Sequence, residues 1–139
     1  MATARPRHHL LICLLVAVAV LPAVANFDKG FSAWDRGNYE TALKEFRKAA
    51  NGNDANAQNH LAQMYEDGQG TRVDLAKAVH WYTIAANADH PAAQLNLGRL
   101  YRSGKGVQQS DQEAVRWYRA AANQGLAIAQ FFMGLMYDT

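Results

Sequence analysis

The chain has 139 residues, a formal net charge of +2 and one cysteine. That length fits a single domain able to bury a core, and with half its residues apolar and 19% charged it is not a disordered composition. A lone cysteine excludes both an intramolecular disulfide framework and a multi-cysteine metal site.

The first 25 residues read as an export signal. They contain no acid; Arg5 and Arg7 with His8 and His9 precede an unbroken apolar run from Leu10 to Leu21. Pro22 and then Ala23-Val24-Ala25 follow, a small-x-small site suited to signal peptidase. The run is shorter than the roughly twenty residues a bilayer-spanning helix needs. Cleavage after Ala25 is therefore expected, with Asn26 as the mature start and the protein in the periplasm or extracellular space. Cys13 leaves with the signal, and Ile12 before it argues against lipidation. Residues 26–139 then carry 12 basic and 12 acidic side chains, a net charge of zero apart from the histidines.

A period of 36 residues organises what remains. Ala57, Gln58 and Tyr65 recur as Ala93, Gln94 and Tyr101, and again as Ala129, Gln130 and Tyr137. Gly68 and Gly70 recur as Gly104 and Gly106, and Trp81-Tyr82 as Trp117-Tyr118. Without a gap, 57–92 and 93–128 share 13 of 36 positions. Ala57, Leu61, Ala62 and Tyr65 lie on one helical stripe, and Ala78, Val79, Tyr82, Ala85 and Ala86 on a second. Two glycines one residue apart separate the stripes, so each repeat is a helix, a glycine turn and a second helix. Residues 30–56 form a shorter first repeat, 57–92 and 93–128 two full ones, and 129–139 the first helix of another. The spacing predicts an all-α, right-handed α-solenoid of antiparallel helix pairs, about seven helices in all. The last helix carries Phe131, Phe132, Met133, Leu135 and Met136. Either a longer solenoid continues beyond it, or its apolar face meets a partner or a second copy of the chain.

These repeats resemble the Sel1-like repeat, a relative of the tetratricopeptide repeat. The resemblance is carried by Ala57, Leu61, Tyr65, Gly68 and Gly70, then Ala78-Val79, Trp81-Tyr82 and Ala85-Ala86-Asn87, and by their copies 36 residues later. Gly30, Gly37, Tyr39, Ala42, Phe46 and Ala49 resemble a tetratricopeptide motif. The matched residues are all packing and turn positions, so they speak for fold and not for activity. The resemblance implies a non-enzymatic interaction scaffold of the cell envelope that takes a peptide or protein partner. An alternative it implies is a periplasmic regulator bound to a membrane sensor-kinase ectodomain. Cysteine-rich members of the family are associated with β-lactam or peptidoglycan chemistry; the cysteine pair per repeat that marks them is missing here.

The residues themselves offer little chemistry. His60, His80 and His90 have no ligand spacing and read as solvated helix positions, so no metal is expected. Gly104-Lys105-Gly106 lacks phosphate-loop spacing, and the scattered basic residues do not make a nucleic-acid face. No cofactor is expected. What remains is a surface: with Leu61, Ala62 and Tyr65 packed inward, the register turns Asn59, Gln63 and Glu66 to a groove. Leu95, Arg99 and Arg102 follow in the next repeat, and Phe31 and Trp34 precede them in the first. Arg99 and Arg102, one turn apart, suit a carboxylate ligand or a pairing with Glu66 or Asp67.

Overall fold

The computed structural model describes the backbone of residues 8–138 and the side chains of residues 22–138. The basic segment 1–7 of the expected export signal and the side chains of its apolar run, Cys13 among them, lie outside the described residues. Among those described there are seven helices: α1 (His8–Asp35), α2 (Tyr39–Asn51), α3 (Ala55–Asp67), α4 (Leu75–Asn87), α5 (Pro91–Ser103), α6 (Asp111–Asn123) and α7 (Ala127–Tyr137). Each packs on the next in chain order. The result is the expected α-solenoid of antiparallel pairs. The helix α1 runs through Pro22 and the Ala23-Val24-Ala25 segment. None of the helices is long and apolar enough, among the described residues, to cross a membrane.

The helix boundaries follow from capping. Asn38, Asp74 and Ser110 cap α2, α4 and α6 by accepting from the backbone N–H three residues on. Asp54 caps α3 the same way, and the ring of His90 does so for α5. Leu126, the next in that series, offers α7 no side-chain cap. Gly68 and Gly104 end α3 and α5 in the left-handed conformation.

The core is a ladder of rings and small residues. Phe46, Tyr82 and Tyr118, one on each second helix, are completely or almost completely buried, as are Ala42, Ala78 and Ala114 beside them. Burying each ring contributes about 1.5–3 kcal/mol. Opposite the rings the first helices carry small residues. A methyl group at Gly30 would lie 2.7 Å from the Phe46 ring, and one at Gly98 would lie 2.8 Å from Tyr118. The repeated glutamines are structural too: buried Gln58 and Gln94 donate to the carbonyls of Ala50 and Ala86, at 3.2 Å each. Each ties the start of one repeat to the end of the one before. Trp117 is buried and Trp81 half-buried, in keeping with a packing role.

The second turn glycine sets the spacing between repeats. Gly70 has φ +68° and Gly106 has φ +72°. Each abuts the start of the preceding second helix, so an added Cβ would lie 2.5 Å from the Tyr39 carbonyl oxygen or 2.7 Å from that of Leu75. At the far end α7 leaves Ile128, Phe131, Leu135 and Tyr137 exposed, and Gly134 has open space beside it.

Gly106→Ala should therefore destabilise the fold by about 1–3 kcal/mol, from positive φ and the carbonyl contact together. Gly134→Ala should instead stabilise α7 by about 0.5–1 kcal/mol, because the helix gains propensity without a clash. Urea unfolding of the two variants checks the pair, and equal behaviour would contradict the packing described.

Candidate functional site

Sequence repetition places three rows of side chains along the first helices. The turn between α1 and α2 is four residues shorter than that between α3 and α4, so α1 aligns with α3 at an offset of 32. Phe27, Asn59 and Leu95 form one row, Phe31, Gln63 and Arg99 the second, and Trp34, Glu66 and Arg102 the third. Side-chain contacts join helices α1, α3 and α5 along this surface.

At the N-terminal end the contacts are aromatic. The His60 ring stacks on Phe46 with centroids 5.2 Å apart, and Phe27, Phe31 and Trp34 surround it at 5.7, 5.9 and 6.2 Å. The indole N–H of Trp34 donates to Gln69 Oε1 at 3.1 Å, in the next repeat's glycine turn. Phe31 remains 44% exposed at the rim. His60 is thus a half-buried packing residue and not the solvated position its sequence context indicated. His90 departs from that expectation as well. Its Nδ1 accepts from the Ala93 N–H at 3.2 Å, so its Nε2 carries the proton and donates to Asn56 Oδ1 at 2.9 Å. His80 is exposed against Trp81, as expected.

In the middle of the surface, Asn59 is buried and accepts from Asn96 Nδ2 at 3.3 Å. It belongs to the seam between α3 and α5 and is not offered to a ligand. Gln63 and Leu95 are half-buried.

At the C-terminal ends of α3 and α5 the contacts are ionic. Arg99 Nη2 donates to both oxygens of Glu66, at 2.6 and 2.8 Å, and the Tyr82 hydroxyl donates to Glu66 Oε2 at 3.0 Å. Of the two pairings open to Arg99, the neighbouring helix therefore takes it. Burial opposes the Arg99 charge, but the hydrogen bonds and charge of Glu66 outweigh it and hold the guanidinium pKa above its usual value. Burial, then the Glu66 charge, pushes the Tyr82 phenol far up. Burial and Glu66 also raise the Asp67 carboxyl. Arg102 is exposed, and none of the described carboxylates pairs with it.

Among the described residues no cluster of three or more His, Cys, Asp or Glu could hold a metal ion. Tyr82 and Gln69, which hold the ionic and aromatic ends, were not singled out for these roles in the sequence. The 36-residue recurrence of Tyr82 at Tyr118, against a change from Glu66 to Arg102, was the available signal.

The family profile for the Sel1 repeat matches residues 55–90, 91–126 and 127–139. A Sel1 repeat protein from Oxalobacter formigenes superposes with a TM-score of 0.75 at 36% identity, over 79% of this chain and 45% of that one. The c5321 protein, a protective antigen of uropathogenic Escherichia coli with the same repeat fold, gives 0.79 at 32% identity, over 83% and 26%. The cysteine-rich protein B of Helicobacter pylori gives 0.63 at 28% identity, over 66% and 68%. The chain thus spans less than half the length of the first two. No curated protein sequence matches it.

The His90 cap makes stability depend on pH. Burial lowers the pKa of both His60 and His90, with His90 also acting on His60. The folded state thus holds both rings neutral where the unfolded chain, titrating near 6.5, binds protons. Their contribution is complete above that value and is lost as pH falls below it. His90→Asp, which copies the Asp54 cap, should flatten the fall in melting temperature between pH 7.5 and pH 5.5. An unchanged fall would show that the cap does not titrate as described.

Proposed function

Because the chain belongs to the Sel1 repeat family, whose members generally act as protein–protein interaction scaffolds, we propose that it is a non-enzymatic scaffold of the cell envelope that holds a protein or peptide partner along its first helices. The observation that carries this reading is the contrast between uniform packing and non-uniform surface. Rings and small residues repeat every 36 positions. The rows beside them change from Phe31 and Trp34, through Gln63 and Glu66, to Arg99 and Arg102. A groove built this way presents an aromatic end, a polar middle and a basic end on one rigid support. A peptide in one register then meets different chemistry at each repeat. Export to the periplasm or extracellular space rests on the N-terminal segment: basic start, apolar run, small-x-small site. The neutral, cysteine-free chain expected after cleavage suits either compartment.

Site-specific photo-crosslinking tests the reading. A benzophenone side chain at Phe31 or Gln63 should yield protein-sized adducts in cells of the source organism, and one at His80, on a second helix, should not. The chain should fractionate outside the cytoplasm with Asn26 at its N-terminus. Equal adducts from all three positions, or none from any, would contradict the groove. Retention in the cytoplasm would contradict the envelope assignment.

A further inference from the structure

The contacts that close the α3–α5 ends are absent one repeat later. The residues 36 positions beyond Glu66, Tyr82 and Arg99 are Arg102, Tyr118 and Leu135. The ring of Tyr118 is retained, completely buried and stacked on Phe132 with centroids 5.4 Å apart. Its carboxylate acceptor is replaced by a guanidinium, and the arginine that would answer that carboxylate is replaced by leucine. The Tyr118 hydroxyl is consequently buried with the Arg102 guanidinium beside it and no acceptor for its proton. A buried polar group of this kind carries a cost that a ligand relieves.

Arg102 and Leu135 line a cleft of about 680 Å³ between α5, α6 and α7. The other charges in its walls are engaged by neighbouring side chains. Arg116 pairs with Glu113 at 3.3 Å, Asp111 accepts from Gln109 at 2.7 Å, and Arg119 donates to the Tyr137 hydroxyl at 2.6 Å. Three arginines face two carboxylates there, which leaves an excess of positive charge. Val115, Leu135 and Met136 supply apolar wall.

We propose that this cleft binds an acidic side chain of a partner peptide, with its carboxylate accepting from the Tyr118 hydroxyl and the Arg102 guanidinium. In the preceding repeat the equivalent tyrosine hydroxyl donates to a glutamate side chain, which is why an acidic side chain, and not a free anion, is the ligand. The apolar walls fit hydrophobic neighbours on either side of it in the peptide. The proposal rests on the scaffold reading in that a partner must present the side chain.

Calorimetric titration of the full chain with two blocked peptides tests it: acetyl-Leu-Glu-Leu-Leu-amide and its glutamine counterpart. The glutamate peptide should bind saturably and the glutamine peptide about tenfold or more weaker, the loss expected of a hydrogen bond to a charged group. Arg102→Gln and Tyr118→Phe should each weaken the glutamate peptide by a similar factor. Tyr118→Phe removes only a hydroxyl whose proton has no acceptor, so it leaves the fold intact. Arg102→Glu combined with Leu135→Arg copies the Glu66–Arg99 arrangement, so it should abolish binding and raise the melting temperature. Equal binding of the two peptides, no binding of either, or binding untouched by these variants would overturn the site. So would preferential binding of the glutamine peptide carrying a free C-terminal carboxylate. Groove crosslinks from Phe31 and Gln63 alongside any of those results would leave the scaffold reading standing and remove only this site.

Discussion

The fold depends on a ring on each second helix seated against a small residue on the first. Phe46 closes over Gly30, and Tyr118 over Gly98, so tightly that no Cβ fits between without movement. This contact fixes how near the two helices of a pair approach. That approach in turn decides where the glycine turns fall and where the next pair begins. The buried glutamines then tie pair to pair through the carbonyls of Ala50 and Ala86. Protein interiors tolerate changes of a single methylene poorly, so the small residue and the ring constrain one another.

On that constant support the polar groups are free to differ. Tyr82 and Tyr118 arrive at equivalent places because the packing brings them there. One finds Glu66 and, through it, Arg99; the other finds Arg102 and no acceptor. The same substitution turns a closed internal bridge into an open cleft without disturbing the helices. The aromatic end behaves comparably, since Trp34 occupies the third-row place of Glu66 and reaches Gln69 instead of an arginine. Chemical variety along the surface thus needs no variation in the backbone.

Most of the fold was legible because its determinants recur. The 36-residue period, the paired turn glycines and the Ala and Tyr stripes each appear twice at fixed spacing, and the helices fall where they indicate. The surface was legible only in part. His60 could not be placed from its own repeat, because the rings around it come from α1 and α2, where the shortened turn puts α1 out of the 36-residue register. His90 gave no capping signal, since a histidine at the head of a helix caps only as the neutral ring. Asn59 lay in the right row but faces Asn96 across the seam. Arg99 and Arg102 sat one turn apart with the same acids in reach, and only the relative rotation of α3 and α5 separates the paired one from the unpaired.

The claim that ring and small residue jointly set the helix spacing is tested most directly by Gly98→Leu, followed by equilibrium unfolding with hydrogen exchange. The added side chain must displace the buried Tyr118 ring. The account predicts a loss of about 1–3 kcal/mol or more, with protection falling in both α5 and α6. A variant as stable as the parent, or one whose lost protection is confined to α5, would contradict it.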